Sequence, residues 1–172
     1  MKTKLNLGCG GDIRAGWINL DSRAIEGVDV VHDINILPLP FNDQSIDKIL
    51  CQDVLEHVEY VNLMKDLYRI LKQLGEIHIR VPHFTSKNNY IDPTHKKMFS
   101  AFTFNFFTSS SYFDYSFSTI SKIKITFKKG LYFYNYLIEF LVNSSNVARR
   151  VYESTCFCWL FPTTNIELVI KK

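Results

Sequence analysis

The first apolar segment of the chain, Leu5-Asn6-Leu7, runs without a spacer into Gly8-Cys9-Gly10-Gly11. A strand that ends on glycines has no Cβ at its tip, so the backbone can turn through positive φ and a ligand can approach it closely. The turn alone is equally an ordinary tight turn, and its meaning depends on what surrounds it. Four more apolar runs follow, Trp17–Leu20, Val28–Val31, Ile46–Cys51 and Glu76–Val81, separated by turn signals or by one helical stretch. Short β-rich runs with such connections predict a parallel α/β sheet. The helix is predicted over Val54–Leu71, where Val54, Val58, Val61, Met64, Leu67 and Leu71 recur at three- and four-residue spacing and Gly75 follows the end.

After Pro82 the composition shifts. Asn, Ser, Thr, Tyr and Phe accumulate through residues 83–118, predicting a long loop or small lid with aromatic anchors, the kind of segment that commonly carries function. Residues 120–128 alternate Ile123, Ile125 and Phe127 with lysines and predict a half-exposed strand, and Asn165–Ile170 is the last strand. Between them lies an insertion, residues 130–163, expected to hold one helix over Leu131–Val142 and a second over Val147–Cys158. The first is apolar all round but shorter than the about 20 residues of a membrane span. Two readings stay open: both helices pack on the sheet, or they offer a hydrophobic surface to a dimer partner or a membrane interface, with Arg149, Arg150, Trp159 and the preceding lysines in support.

Charge is divided unequally. Residues 1–86 carry 9 basic and 12 acidic side chains, and residues 87–172 carry 11 basic and 5 acidic. The basic half favours anionic surfaces in general, but its lysines are scattered and form no nucleic-acid module, so nucleic acid is not the expected partner. The four cysteines (Cys9, Cys51, Cys156, Cys158) show neither a disulfide framework nor paired metal knuckles and read as reduced thiols; no metal site is expected. The amino terminus has no signal-peptide pattern, which makes a cytoplasmic location the expectation, with peripheral membrane contact through the insertion.

Three acidic segments give the glycine turn its force. Asp21 closes the second strand, where a carboxylate can accept two hydrogen bonds from a ribose diol. Asp33 follows the third strand, and Gln52-Asp53 ends the fourth. In an open parallel sheet these carboxyl ends line one crevice.

The order Leu5-Asn6-Leu7-Gly8-Cys9-Gly10, Asp21, Asp33-Ile34, Asp47 through His57 and Tyr68 through Glu76 resembles the class I S-adenosylmethionine-dependent methyltransferase family, over roughly residues 3–82 and again at the last strand. The resemblance implies one domain over residues 1–172, a Rossmann-like, doubly wound, mostly parallel sheet of about seven strands with an antiparallel last strand, and a helical insertion before that strand. Within it, 1–82 would be the cofactor-binding half, 83–118 a lid or acceptor loop, and 164–172 the last strand. It further implies that Gly8, Cys9 and Gly10 lie beneath the methionine portion of S-adenosylmethionine, that Asp21 holds the ribose, that Asp33 and Ile34 flank the adenine, and that Gln52 and Asp53 complete the site.

The chain departs from the pattern in three places. Gln73-Leu74 stands where Pro-Gly is usual, and Asp12 where a third glycine is usual. Only 13 positions separate Gly8 from Asp21, too few for a crossover helix, since parallel connections usually take about a dozen residues or more. Gly8 to Gly16 can still reach about 30 Å extended, so the crossover can close as a loop. A nicotinamide-dependent oxidoreductase would require Gly-x-Gly-x-x-Gly and a helix for the pyrophosphate; Ile13 occupies the last position.

Methyl transfer from a sulfonium mainly requires alignment, with a base where the nucleophile must lose a proton. His95 and then His57 are the candidate catalytic residues, and His83 a third histidine on the same side. The expected acceptor is a small molecule or a glycan, lipid-linked acceptors included. A non-catalytic S-adenosylmethionine-binding partner or regulatory protein is the alternative, and a homodimer is compatible with either.

Overall fold

The computed structural model describes residues 2–109 and 112–172. Seven strands form one sheet in the order β3-β2-β1-β4-β5-β7-β6, with β1 Lys4–Leu7, β2 Ile18–Asp21, β3 Val30–Val31, β4 Ile46–Gln52, β5 Leu71–Pro82, β6 Thr119–Ile125 and β7 Asn165–Lys171. Neighbours from β3 through β5 run parallel, and β7 lies antiparallel between β5 and β6. This is the mostly parallel, Rossmann-like sheet expected from the sequence.

Strand alternation sorts the two faces. Ile77, Ile79 and Val81 of β5 and Ile166, Leu168 and Ile170 of β7 point to one side, where they are buried. Helix α1, Tyr60–Ile70, covers that side with Leu63, Met64, Leu67 and Ile70, and Phe99, Phe104, Phe107 and Phe117 complete the layer. Phe99 and Phe104 stack at 5.6 Å. The segment expected as a long loop or lid thus anchors in the core through Phe99, Phe104, Phe107 and Phe117, with exposed stretches between them and a short helix α2 at Asn88–Ile91. The opposite face is polar. Lys48 pairs with Glu76 at 3.1 Å, Glu76 accepts from His78 at 2.8 Å, and Arg80 pairs with Asp53, all on or beside β4 and β5.

The predicted helix Val54–Leu71 is shorter than its periodicity suggested. Leu55–His57 form a 3-10 turn, Val58 is extended, and α1 starts at Tyr60. Val54 and Val58 are buried from loop positions, so their spacing imitated a helix. At the other end Leu71 already belongs to β5, which bulges opposite β4 between Leu71 and Glu76.

The insertion holds three helices rather than two: α3 Asn135–Asn143, α4 Asn146–Glu153 and α5 Phe157–Leu160. Ser145 caps α4 by accepting from the Ala148 N–H. Ser154 and Thr155 interrupt what the sequence suggested as one helix. Asn143 donates to the Ile125 carbonyl and accepts from the Ile125 N–H, both at 2.8 Å, which occupies part of the free edge of β6. Among the described residues no helix is long and apolar enough to cross a membrane.

Candidate active site

Gly8 and Gly10 leave β1 with φ of 62° and 50°. A Cβ on Gly8 would lie 2.7 Å from Val54 Cγ2, so glycine is required there by packing as well as by backbone angle. Gly11 has open space around it. Cys9 donates its N–H to the Leu20 carbonyl and buries its thiol, whose pKa burial raises. It therefore contributes backbone rather than sulfur to this turn.

Two buried asparagines hold the helix-free crossover in place. Asn6 Nδ2 donates to the Asp12 carbonyl at 2.7 Å and to Asn19 Oδ1 at 3.2 Å. Asn19 Oδ1 also accepts from the Arg14 N–H, and its Nδ2 donates to the Arg14 carbonyl. These side chains satisfy loop backbone that a helix would have satisfied internally. The short run to Asp21 thus closes as a pinned loop.

Asp21, 7% exposed at the end of β2, accepts the Gly10 N–H on Oδ2 at 2.8 Å and the Arg23 N–H and Nε on Oδ1. Burial pushes its pKa up, but hydrogen bonds from the Arg23 and Gly10 N–H groups and the Arg23 guanidinium outweigh that, leaving it below the ordinary carboxylate value. An ionised acceptor is thus fixed beside the glycine turn.

The other expected residues fall into two groups. Asp33 is exposed and folds back to accept from Asn35, with Ile34 half-buried against the core behind it. Gln52 Oε1 accepts from Arg14 at 3.3 Å, and the Asp53 carboxylate is held by Arg80, both toward the polar face of the sheet. Asp53 itself has φ of 55°, so this strand end, like that of β1, turns sharply.

The histidines separate clearly. His83 is fully buried and committed, with Nδ1 against Thr85 Oγ1 at 2.9 Å and Nε2 against Glu153 Oε1 at 3.0 Å. His57 and His95 come together with ring centroids 4.7 Å apart. The 92–97 turn that carries His95 is latched by the Lys96 N–H on the Glu56 carbonyl at 2.7 Å. Burial lowers the His95 pKa, and His57 adds to the effect.

Glu56, between the β4 end and His57, was not singled out from sequence. It is fully buried, and neither carboxylate oxygen has a hydrogen-bond partner. Burial pushes it up to about 7. The only sequence signal was an acid directly preceding a candidate histidine.

A cavity of about 480 Å³ opens between the segment after β5 and the insertion, lined by Ser86, Lys87, Asn88, Tyr90, Lys128, Tyr132, Tyr134 and Phe161 among others. A larger cleft of about 670 Å³, with Asp43, Arg69 and Lys172 in its walls, sits at the amino-terminal ends of β4 and β5. Ligands of open parallel sheets bind outside the carboxyl ends, so the smaller cavity is on the side of the expected chemistry.

Residues 9–79 match a family model described as a methyltransferase domain. An uncharacterised protein of Methanocaldococcus jannaschii is 47% identical over 47 residues, a match spanning 27% of this chain and 21% of that protein. Among solved structures, the fold is similar to a SAM-dependent methyltransferase from Archaeoglobus fulgidus, with TM-score 0.62 and 20% identity over 99% of this chain and 86% of the other. It is also similar to an S-adenosylmethionine-dependent methyltransferase from Mesorhizobium loti, with TM-score 0.60 and 13% identity over 99% and 90%. A [4+2]-cyclase, SpnF, shares the fold as well, with TM-score 0.62 and 16% identity over 99% and 74%. The glycine turn, its carboxylate partner on β2 and the strand order agree with the domain match: residues 9–79 carry the pattern of a methyltransferase domain, and the chain as a whole has the fold of the S-adenosylmethionine-dependent methyltransferases.

Proposed function

We propose that this chain transfers a methyl group from S-adenosylmethionine to a hydroxyl of a glycan or small molecule, lipid-linked acceptors included. The observation that carries the reading is the Asp21 carboxylate held 2.8 Å from the Gly10 N–H across adjacent strand ends. When bound, the cofactor supplies a methyl group already activated as a sulfonium. The residues that would hold it fit the group. Backbone at Gly8, Cys9 and Gly10 offers close approach, and Asp21 offers an anionic acceptor to a ribose diol. The Arg23 side chain that donates to that carboxylate is itself 67% exposed, so its displacement would not open the core. Asp33 and Ile34 offer one polar and one apolar contact for adenine. Gln52 and Asp53 would act mainly through the backbone of their turn, since both side chains are engaged elsewhere.

His95 and His57 are the residues proposed to meet the acceptor and take its proton. The 480 Å³ cavity combines Tyr90, Tyr132 and Tyr134 with Asn88 and Lys128, and apolar rings beside amide and hydroxyl groups suit the two-sided surface of a sugar. The insertion supports a lipid-linked version of the acceptor. Leu131, Phe133, Leu137, Phe140, Trp159 and Leu160 are each more than 60% exposed, and Lys128 and Lys129 lie over the exposed rings of Tyr132 and Tyr136.

The helix-free crossover favours one rival, a protein that binds the cofactor without catalysis. Formation of the demethylated cofactor in the presence of glycan, lipid-linked and small-molecule acceptors decides between them. Turnover with one class, reduced at least about a hundredfold in His95→Ala or His57→Ala, is the expected result. Cofactor binding with no turnover on any class would favour the non-catalytic reading.

A further inference from the structure

We propose that Glu56, His57 and His95 form a binding site for a divalent transition-metal ion, held between the 3-10 turn after β4 and the 92–97 turn. One ligand atom from each of the three lies within 4.8 Å of the others, which is within a small side-chain adjustment of a shared ion. The decisive feature is what these atoms lack. Both Glu56 oxygens and His95 Nδ1 are buried without a hydrogen-bond partner, although buried polar groups are almost always paired.

The outer atoms, by contrast, face partners, and both of these lead to Asp92. Thr94 Oγ1 donates to Asp92 Oδ1 at 2.6 Å, so its single proton is used. The 2.8 Å contact between Thr94 Oγ1 and His57 Nδ1 then requires His57 to donate from Nδ1, leaving Nε2 with a free lone pair. His95 Nε2 faces Asp92 Oδ2 at 3.7 Å, which leaves Nδ1 as its inward atom. Asp92 therefore orients both imidazoles from outside, one through Thr94 and one directly, the arrangement in which a second carboxylate fixes tautomer and ring orientation of metal-bound histidines.

The donor set defines the ion. Two imidazole nitrogens and one carboxylate oxygen suit zinc, iron, cobalt or nickel, whereas magnesium and calcium prefer all-oxygen surroundings. Three protein ligands leave positions open for water or a hydroxyl oxygen. The inference does not rest on methyl transfer, because an ion binds here without cofactor or acceptor. It does bear on the histidines: with an ion bound they are ligands, and their metal-bound nitrogens are not available to take a proton.

The test uses the full chain, stripped with a chelator and titrated with cobalt(II), followed by visible absorption and calorimetry, with zinc(II) in competition. A Cys156→Ser background removes the exposed thiol. One ion per chain is expected, with affinity lowered at least about tenfold in His57→Ala, His95→Ala and Thr94→Ala and retained in the distant control His32→Ala. Glu56→Gln is read only alongside circular dichroism, since a buried acid can affect folding; the histidine and threonine variants are sufficient without it. Binding that His57→Ala and His95→Ala leave unchanged, or no binding beyond the level of weak surface adsorption, overturns the site. Either result is obtained without S-adenosylmethionine and so stands apart from the success or failure of the methyltransferase reading.

Discussion

Helices α1 and α3 both carry several large apolar residues but bury opposite kinds of side. α1 turns Leu63, Met64, Leu67 and Ile70 onto the sheet. α3 turns Asn135, Glu139 and Val142 inward and leaves Tyr136, Leu137, Phe140 and Leu141 between 53% and 70% exposed. Most of its buried polar side is paired: Glu139 accepts from the Phe127 N–H and pairs with Lys124 and Lys129 at 3.0 and 2.9 Å, and Asn135 donates to the Lys128 carbonyl while its Oδ1 has no partner. α4 repeats the theme, with Arg149 and Tyr152 buried and Val147 and Val151 exposed. Hydrophobic burial therefore dominates the first half of the chain, while the insertion joins a small apolar cluster of Val142, Tyr152 and Cys158 on Phe127 to hydrogen bonds and ion pairs and leaves much apolar surface exposed.

That contrast can be broken first by cavity formation. Leu67→Ala should cost about 3 kcal/mol of unfolding free energy, because the leucine is fully buried, whereas Phe140→Ala should fall within about 0.5 kcal/mol of the parent. Urea denaturation of the two variants compares them directly. An equally large loss at Phe140 would mean that α3 packs against the body of the protein. The second effect is local to the glycine turn: Gly8→Ala forces a Cβ onto Val54 and an L-residue into positive φ, costing about 1–2 kcal/mol from the backbone alone and abolishing measurable cofactor binding.

A smaller effect separates the polar interior of the insertion from the apolar interior of the sheet by pH. Burial would raise the Glu139 pKa, but Lys129, Lys124 and the Phe127 N–H bring it below the ordinary value of 4.5. A depressed carboxylate contributes stability that is fully present above that ordinary value and is lost as pH falls through the folded one. Glu139→Gln should therefore destabilise by about 1–2 kcal/mol near neutral pH, with the difference from the parent shrinking below pH 4.5. A pH-independent difference, read from denaturation curves across the acid range, would remove the charge from the explanation. The smallest expected change in stability, and the most specific in function, comes from Leu137→Ser with Phe140→Ser. This pair should leave the denaturation midpoint nearly unchanged and reduce co-sedimentation with anionic vesicles at low salt. If instead the parent chain ignores vesicles and dimerises through this surface, the occupant is a second copy.

Much of the cofactor half was legible in the sequence because its signals are local. A strand running into Gly8-Cys9-Gly10, and acids at the ends of later strands, predicted the turn and the strand ends that the structure places along one edge of the sheet. What escaped depended on long-range contacts. Val54 and Val58 kept a helical spacing while packing from a 3-10 turn and an extended residue, so periodicity extended α1 too far. Asn6 and Asn19 looked like ordinary strand residues; only their meeting across β1 and β2 gives them the work of pinning the crossover. The orientation of α3 was not readable, since an all-round apolar sequence does not say that Asn135 and Glu139 will be the buried side. Glu56 was hidden for the same reason, its isolation being a property of its surroundings rather than of its sequence.

The central claim is that a pinned loop, rather than a helix, forms the cofactor cradle, with Asp21 as its anionic anchor. Calorimetry of the full chain with S-adenosylmethionine and with its demethylated product tests it most directly, in parallel with Asp21→Ala. Binding of both ligands by the parent, weakened at least about tenfold by the loss of the carboxylate's paired hydrogen bonds, is the predicted result. Binding of neither ligand, or affinity unchanged in Asp21→Ala, would contradict it.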